Sequence, residues 1–144
     1  MVILEVKSSY EQDFVIDDAM IRRFAEAVGD TNPIHLDEAF AANTRFGRRV
    51  AHGGILVGLV SRILGVEFPG PGTVFLRQVI DFVSPVFVGD RVTLRLEVEE
   101  LLPKDGARLV VLATRGTDIV AKGEATVKLP KWGLRPPGAA RGER

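Results

Sequence analysis

The first part of the chain carries apolar positions at helical spacing. Residues 10–16 end in a short strand-like run, and Asp17 or Asp18 can then cap a helix that Gly29 ends. Four apolar residues in between recur every one to four positions on one helical face: Met20, Ile21, Phe24 and Val28. After a helix-breaking Asn-Pro step, residues 36–46 predict a short second helix.

The next apolar segment has no extended polar face. Between residues 53 and 64 the only polar side chains are Ser61 and Arg62, a composition typical of a buried helix. Glycine weakens a helix intrinsically, but it lets other backbone approach closely. The three glycines in this helix, at positions 53, 54 and 58, therefore predict such close contacts.

From residue 72 onward the pattern becomes that of β-strands. Segments rich in Val, Ile and Phe are separated by turn-forming residues at Gly89–Asp90, Lys104–Gly106 and Gly116. Clean alternation over residues 91–101 predicts one buried and one solvated face. The predicted strands lie within residues 72–88, 91–101, 107–117 and 118–129.

The order of these elements predicts an α+β fold. A short strand, helices and one apolar helix precede a run of antiparallel strands, so a curved sheet is expected to wrap the apolar helix. Residues 1–130 are interpreted as a single domain. Residues 131–144 are rich in Pro, Gly and Arg without periodicity, and they are predicted to form a flexible C-terminal tail.

Composition narrows the possible function classes. The 144 residues suffice for one domain with a substantial core, and 46% of them are hydrophobic. The 19 basic and 19 acidic residues cancel, so no net field points to nucleic acid or an anionic membrane. The chain has no cysteine, which excludes disulfides and thiolate metal ligands. Neither a signal peptide nor a membrane span is predicted, and a cytoplasmic protein is expected.

The stretch from Gly29 to Phe40 contains the first candidate chemical groups. Asp30 and His35, one of only two histidines, are five residues apart. On one continuous helix they would lie about 140° apart around the axis and could not share a substrate atom. A turn through Thr31–Pro33 would allow both side chains to enter one pocket.

Two motifs in this region resemble those of a known family. An aromatic residue, Phe24, precedes Gly-Asp-Thr-Asn-Pro-Ile-His at residues 29–35, and a small residue, Ala41, follows. A second segment, AHGGILVGLVSRIL, begins at Ala51. The combined pattern is similar to the MaoC-like (R)-specific enoyl-CoA hydratases and dehydratases, and the resemblance spans roughly residues 10–130.

The resemblance implies a fold, a substrate and a reaction. The implied fold is the hot-dog fold, in which an antiparallel sheet wraps a central helix. Subunits of this kind usually pair edge to edge, as homodimers or assemblies of dimers, with active sites at the interface. The implied reaction is reversible hydration of trans-2-enoyl-CoA to (R)-3-hydroxyacyl-CoA, with an acyl-CoA thioester as substrate, no cofactor and no metal.

The resemblance also assigns roles to individual residues. Asp30 and His35 would form the catalytic pair, and the backbone N–H of Gly53 would bind the thioester oxygen. Three further residues are predicted to support this site: Ser61, Asn32 and His52.

The implied chemistry needs three groups. A base takes a proton from water as the water oxygen attacks C3, an acid delivers a proton to C2, and a donor stabilises charge on the thioester oxygen. An aspartate and a histidine that hold one water can supply the first two. A backbone N–H at a helix start can supply the third, because orphan donors and the helix dipole favour negative charge there.

Each candidate also has a structural interpretation. Asp30 alone fits a turn, His35 a hydrogen-bonded structural role, His52 the orientation of a loop, and Ser61 a bond to the carbonyl one turn earlier. The joint placement of Asp30 and His35 in a long motif favours catalysis. No Gly-x-Ser-x-Gly element supports a serine triad, and two histidines without cysteine argue against a zinc site.

Three other functions stay open at the level of the sequence. A 3-hydroxyacyl-acyl-carrier-protein dehydratase would keep the chemistry and need a basic surface near the tunnel mouth. A hot-dog thioesterase would direct water at C1 instead of C3, which the Asn-Pro-His motif disfavours. A non-catalytic acyl-CoA-binding subunit would be expected to lose Asp30 or His35, whereas this chain keeps both.

Overall fold

The computed structural model describes residues 4–130, and in this part of the chain five strands form one antiparallel sheet. The strand order across the sheet is β1-β3-β4-β5-β2. The tail predicted over residues 131–144 lies outside the described residues. The strand bounds are β1 Ser9–Ile16, β2 Val74–Phe82, β3 Asp90–Leu102, β4 Gly106–Arg115 and β5 Asp118–Lys128.

Strand β3 confirms the predicted alternation of buried and solvated positions. Its inward-facing side chains are fully buried in the core: Val92, Leu94, Leu96 and Val98. The predicted turns on either side are also present, and Gly89 adopts a φ of 89°, a backbone conformation that favours glycine. The buried face of the sheet therefore forms one wall of the core.

The helices precede β2 in the chain. Helix α1 (Asp18–Val28) begins and ends as predicted, because the Asp17 side chain accepts the Met20 N–H at 2.9 Å and Gly29 takes the left-handed conformation. Helices α2 (Pro33–Leu36), α3 (Glu38–Ala42) and α4 (Gly53–Arg62) follow, and α4 continues as a π-helical segment, Ile63–Glu67. Within residues 4–130 there is no helix with the length and hydropathy that crossing a membrane requires.

The short helix predicted over residues 36–46 is present but shorter, as α3, and a separate one-turn helix, α2, precedes it. Asn32 caps α2 by accepting the Ile34 N–H at 3.2 Å, and the fixed φ of Pro33 suits the first helical position. His35 therefore lies inside a one-turn helix rather than before one. Asp37 is extended and caps α3 by accepting the Phe40 N–H at 3.0 Å, which divides the two helices.

Helix α4 packs one side against the sheet and confirms the α+β architecture. Ile55, Leu56 and Val60 are buried, and the core continues through Ile63 and Leu64 of the π-helical segment. Apolar side chains from the inner face of the sheet complete the same cluster. The start of α4 is thereby fixed relative to the end of β2.

The other side of α4 differs from its prediction. It is exposed in the single subunit rather than buried, through residues at helical spacing: Gly54, Gly58 and Ser61. The expected close backbone contacts at the glycines are also wrong. A Cβ added to Gly53 or Gly54 would instead meet an aromatic ring, that of Phe82 at 2.8 Å or Phe24 at 2.7 Å, and one on Gly58 would meet nothing within 4 Å.

Candidate active site

The turn between α1 and α2 brings Asp30 and His35 together. The Thr31 N–H donates to the Gly29 carbonyl at 3.1 Å, and the Asn32 N–H donates to the Asp30 carboxylate at 3.3 Å. The His35 N–H then donates to the Asn32 carbonyl at 3.0 Å. These bonds turn the chain, so residues that would diverge on one helix become neighbours.

Three side chains converge at this turn. One carboxylate oxygen of Asp30 and one ring nitrogen from each of His35 and His52 lie within 4.8 Å of one another. Asp30 is exposed and His35 is partly buried, whereas His52 is only 2% exposed. The two imidazole rings are in contact, with their centroids 3.8 Å apart and their planes tilted by 30°. The structure thus joins the predicted pair and adds His52 to it.

A backbone carbonyl fixes the tautomer of His35. Its Nδ1 lies 2.7 Å from the Val50 carbonyl oxygen. Because a carbonyl can only accept, Nδ1 carries the hydrogen, and the neutral ring has its lone pair on Nε2. Burial lowers the pKa of His35; the Val50 bond and Asp30 oppose this effect, and His52 adds to it. The neutral ring with a basic Nε2 is therefore favoured.

His52 is held through the opposite nitrogen. Its Nε2 donates to the Asp30 backbone carbonyl at 3.0 Å, and its ring centroid lies 4.9 Å from that of Phe24. Its Nδ1 is buried, and no described residue hydrogen-bonds to it. The bond to Asp30 ties the residue before α4 to the turn, which is the kind of contact that a supporting residue makes.

The Asp30–His35–His52 group contains potential metal ligands, one atom from each residue within 4.8 Å of the others. One nitrogen of each ring is already hydrogen-bonded to a backbone carbonyl, Nδ1 of His35 to that of Val50 and Nε2 of His52 to that of Asp30. Each imidazole therefore has one nitrogen left that could bind an ion.

A pocket of about 460 Å³ opens at the start of α4. His52 and Gly53 line it from the helix start, Phe82 from the end of β2, and Arg45 from the loop after α3. The Gly53 N–H has no acceptor among the described residues, as is usual in the first turn of a helix. The pocket wall therefore presents a free backbone donor next to His52.

The predicted site residues fall into two groups. Asp30, His35 and His52 are together, Gly53 follows His52 directly, and Asn32 caps the helix that carries His35. Ser61 is separate: it is exposed on α4, eight residues beyond Gly53, which is about 12 Å along the helix axis. It does not line the pocket, and no described residue hydrogen-bonds to its hydroxyl, including the carbonyl one turn earlier. Its supporting role stays a prediction.

Two residues of this region lie outside the sequence motifs that predicted the site. Arg49 is 5% exposed, and its Nε donates to the His35 carbonyl at 2.6 Å. Phe82 places its ring against Gly53. The sequence offers one hint of a buried Arg49, because this charged residue directly precedes the apolar pair Val50–Ala51. Its ion-pair partner, Asp18, lies 31 residues earlier in the chain, too far for any local periodicity to reveal the contact.

Proteins of known function share much of this sequence. Residues 4–121 match the family described as MaoC like domain. The 3-hydroxybutyryl-CoA dehydratase of Methylorubrum extorquens is 50% identical over 109 residues, which cover 75% of this chain and 69% of that protein. The (R)-specific enoyl-CoA hydratase of Aeromonas caviae is 44% identical over 116 residues, covering 78% of this chain and 85% of that protein.

Solved structures share the fold. The (R)-hydratase from A. caviae involved in PHA biosynthesis superposes with a TM-score of 0.85 at 43% identity, covering 88% of this chain and 98% of that chain. An unliganded R-hydratase from Pseudomonas aeruginosa superposes with a TM-score of 0.84 at 38% identity, covering 96% of this chain and 94% of that chain. The fold is therefore the hot-dog fold of the R-hydratases, and the chain belongs to the MaoC-like family.

Proposed function

We propose that this protein reversibly hydrates trans-2-enoyl-CoA to (R)-3-hydroxyacyl-CoA, with Asp30 and His35 acting on one water. The observation that carries the proposal is the convergence of these two side chains within 4.8 Å, next to a pocket with a free Gly53 N–H. The reaction class is supported by relatives of 39–50% identity that are named hydratases or a dehydratase.

The tautomer of His35 supports its assignment as the base. Its Nδ1–H is engaged by the Val50 carbonyl, so Nε2 is the atom that can accept a proton from water as the water oxygen bonds to C3. The Asp30 carboxylate orients the water by accepting its other hydrogen. The proton held by the pair is then delivered to C2, so the net change is addition of one water across the double bond.

The Gly53 N–H is proposed to stabilise the charge that develops in this step. When the C3–O bond forms, electron density moves to the thioester oxygen, and a donor at a helix start favours that charge. Removing such a donor typically lowers the rate on the order of 10² to 10³-fold. The donor acts on the developing enolate more strongly than on the ground-state carbonyl, so it contributes to kcat.

The direct test is an absorbance assay of the purified protein with crotonyl-CoA and longer enoyl-CoAs, followed by chiral analysis of the product. We expect loss of the enoyl absorbance and formation of the (R)-alcohol. Formation of the (S)-alcohol or absence of hydration would contradict the proposal. Release of free thiol, followed in parallel, would instead indicate a thioesterase.

An acyl-carrier-protein thioester is the second candidate substrate. Arg45 is among the residues that line the pocket, and its positive charge favours a phosphate of either carrier. Plant mitochondrial 3-hydroxyacyl-acyl-carrier-protein dehydratases are 27–29% identical to this chain, well below the 50% of the 3-hydroxybutyryl-CoA dehydratase. We therefore expect faster dehydration of 3-hydroxybutyryl-CoA than of the same acyl group on a carrier protein, measured at equal concentration.

We also propose a homodimer that forms through strand β2. This strand is at one edge of the sheet and exposes four apolar side chains: Val74, Leu76, Val79 and Phe82. An exposed apolar edge is a template for pairing with another chain. Because Phe82 also lines the pocket, the partner would lie next to the site.

Matched variants on the two sheet edges test this dimer. Leu76→Glu should give a monomer in sedimentation velocity, since it places a charge on the β2 edge. Val15→Glu, on the exposed part of the β1 edge, is the control and should stay dimeric. An active monomer of the unmodified protein would contradict the proposal.

A further inference from the structure

Arg49 is a buried cation outside the pocket lining. Its side chain is 6% exposed, and its guanidinium contacts three separate segments. Nε donates to the His35 backbone carbonyl at 2.6 Å, Nη2 donates to the Asp18 carboxylate at 2.6 Å, and Nη1 lies 3.5 Å from Glu38. A charge removed from water in this way persists only with paired, well-directed partners.

The three contacts lie at the ends of three helices. Asp18 is the first residue of α1, the His35 carbonyl is in the last turn of α2, and Glu38 is the first residue of α3. Helix α2 has four residues, and a single turn is not stable without external contacts. Carbonyls at a helix end also lack intrahelical partners, and Arg49 supplies one.

The neighbouring residue, Val50, holds the same histidine from a second side. The Val50 N–H donates to the Ile34 carbonyl at 3.3 Å, and the Val50 carbonyl accepts the His35 Nδ1–H at 2.7 Å. Arg49 and Val50 therefore fix both the backbone and the ring of His35. Three hydrogen bonds from two consecutive residues determine where its Nε2 points.

The ion pair with Asp18 does not by itself explain this arrangement. Arg22 also pairs with the Asp18 carboxylate, at 2.9 Å and on the exposed side of α1. The hydrogen bonds of Arg49 and then Arg22 lower the pKa of Asp18. Asp18 would therefore keep a cationic partner without Arg49, whereas the His35 carbonyl has no other side-chain donor among the described residues.

We propose that Arg49 is a positioning residue for hydration, which holds His35 where one of its ring nitrogens lies within 4.8 Å of the Asp30 carboxylate. The inference rests on the proposed function, because it assumes that His35 is the base. Arg49 does not touch the substrate or the reacting atoms. It acts through the backbone of α2, and its loss releases the catalytic imidazole while leaving the pocket lining unchanged.

The test compares Arg49→Met with Arg22→Met as the matched control, which removes the other cation from Asp18. Arg49→Met should lower kcat by about tenfold or more while KM changes little, since a small displacement of a reacting group is costly. The pKa of the His35 imidazole, followed by NMR, should rise toward its ordinary value as water reaches the released ring. Arg22→Met should leave both quantities unchanged, and Arg49→Lys should partly restore them.

The NMR measurement separates this inference from the proposed function, because it reports on His35 whatever the activity of the protein. Should Arg49→Met not fold, Arg49→Ala serves for the same measurements, since it also removes the donor to the His35 carbonyl and leaves space for water beside Asp18 and Glu38. A folded variant with unchanged kcat, unchanged His35 pKa and only a lower melting temperature would overturn the inference. It would show that Arg49 contributes to stability alone.

Discussion

The two histidines of the site are in contact, yet two regions of the chain hold them in opposite ways. His35 lies in the one-turn helix α2, is partly buried, and donates through Nδ1 to the Val50 carbonyl. His52 lies directly before α4, is 2% exposed, and donates through Nε2 to the Asp30 carbonyl. The free lone pair is on Nε2 in the first ring and on Nδ1 in the second.

This difference shows how the same side chain can serve two purposes. The free nitrogen of His52 is buried, where water and substrate do not reach it. His35 is only partly buried, and one of its ring nitrogens lies within 4.8 Å of the exposed Asp30 carboxylate. From burial and the choice of bonded nitrogen we propose that the region around α2 carries out proton transfer and the region before α4 supports it. The predictions below test that division.

The largest effect on the hydration rate is expected from changes to Asp30 and His35. Asp30→Asn and His35→Gln should each lower the hydration rate by at least about a hundredfold, because each removes a group that acts on the same water. The double variant should lose little more, since the residues act as a unit. Steady-state assays on folded proteins measure this. Near-normal turnover in either single variant would contradict the assignment.

A smaller loss is expected at Gly53. A methyl group there would meet the Phe82 ring at 2.8 Å and would lie where the thioester must bind. Gly53→Ala should therefore lower kcat by about tenfold, less than complete loss of an oxyanion donor. As a control, Gly53→Ala is also made in the Phe82→Ala protein, which has no ring at this position, and we expect the loss of kcat to persist there. Full recovery of kcat in the double variant would show that the displaced Phe82 ring, and not the Gly53 N–H donor, caused the loss.

The same residues show how far the sequence determines the site. Gly29 and the Asn32–Pro33 step indicate a turn, and that turn does bring Asp30 to His35. The Asn-Pro step was, however, the cap and first residue of α2, so a helix breaker in the sequence is a helix start in the structure. Local spacing could not reveal Phe82 against Gly53 or Arg49 against Asp18, because those contacts depend on how distant segments pack.

A still smaller effect is expected at His52. His52→Gln keeps a donor for the Asp30 carbonyl and loses the ring that contacts His35, so the rate should fall less than about tenfold. The comparison with His35→Gln uses the same substitution at both histidines. Equal losses in the two variants would show that the division between catalysis and support is wrong.

The smallest effect concerns pH. Burial lowers the pKa of His35 from its ordinary value of 6.5, so hydration should continue below that pH and fall as His35 becomes protonated. The free energy of unfolding should change with pH in the same direction as the rate. The unfolded chain binds this proton more readily, so the stability from His35 is present above pH 6.5 and is lost as the pH falls through the lowered pKa. Rate profiles and urea unfolding, compared with His35→Gln, measure both; a rate inflection above the ordinary value would contradict the prediction.

The proposed roles of the two histidines depend on their tautomers: His35 has a free Nε2, whereas His52 carries its hydrogen on Nε2. Because the chain has only two histidines, a long-range proton–nitrogen NMR spectrum of the tag-free protein at neutral pH contains two imidazole patterns. We predict one ring protonated on Nδ1, which the spectrum of His35→Gln lacks, and one ring protonated on Nε2. A spectrum in which His35 carries its hydrogen on Nε2, or is fully protonated at neutral pH, would contradict the proposed division of roles.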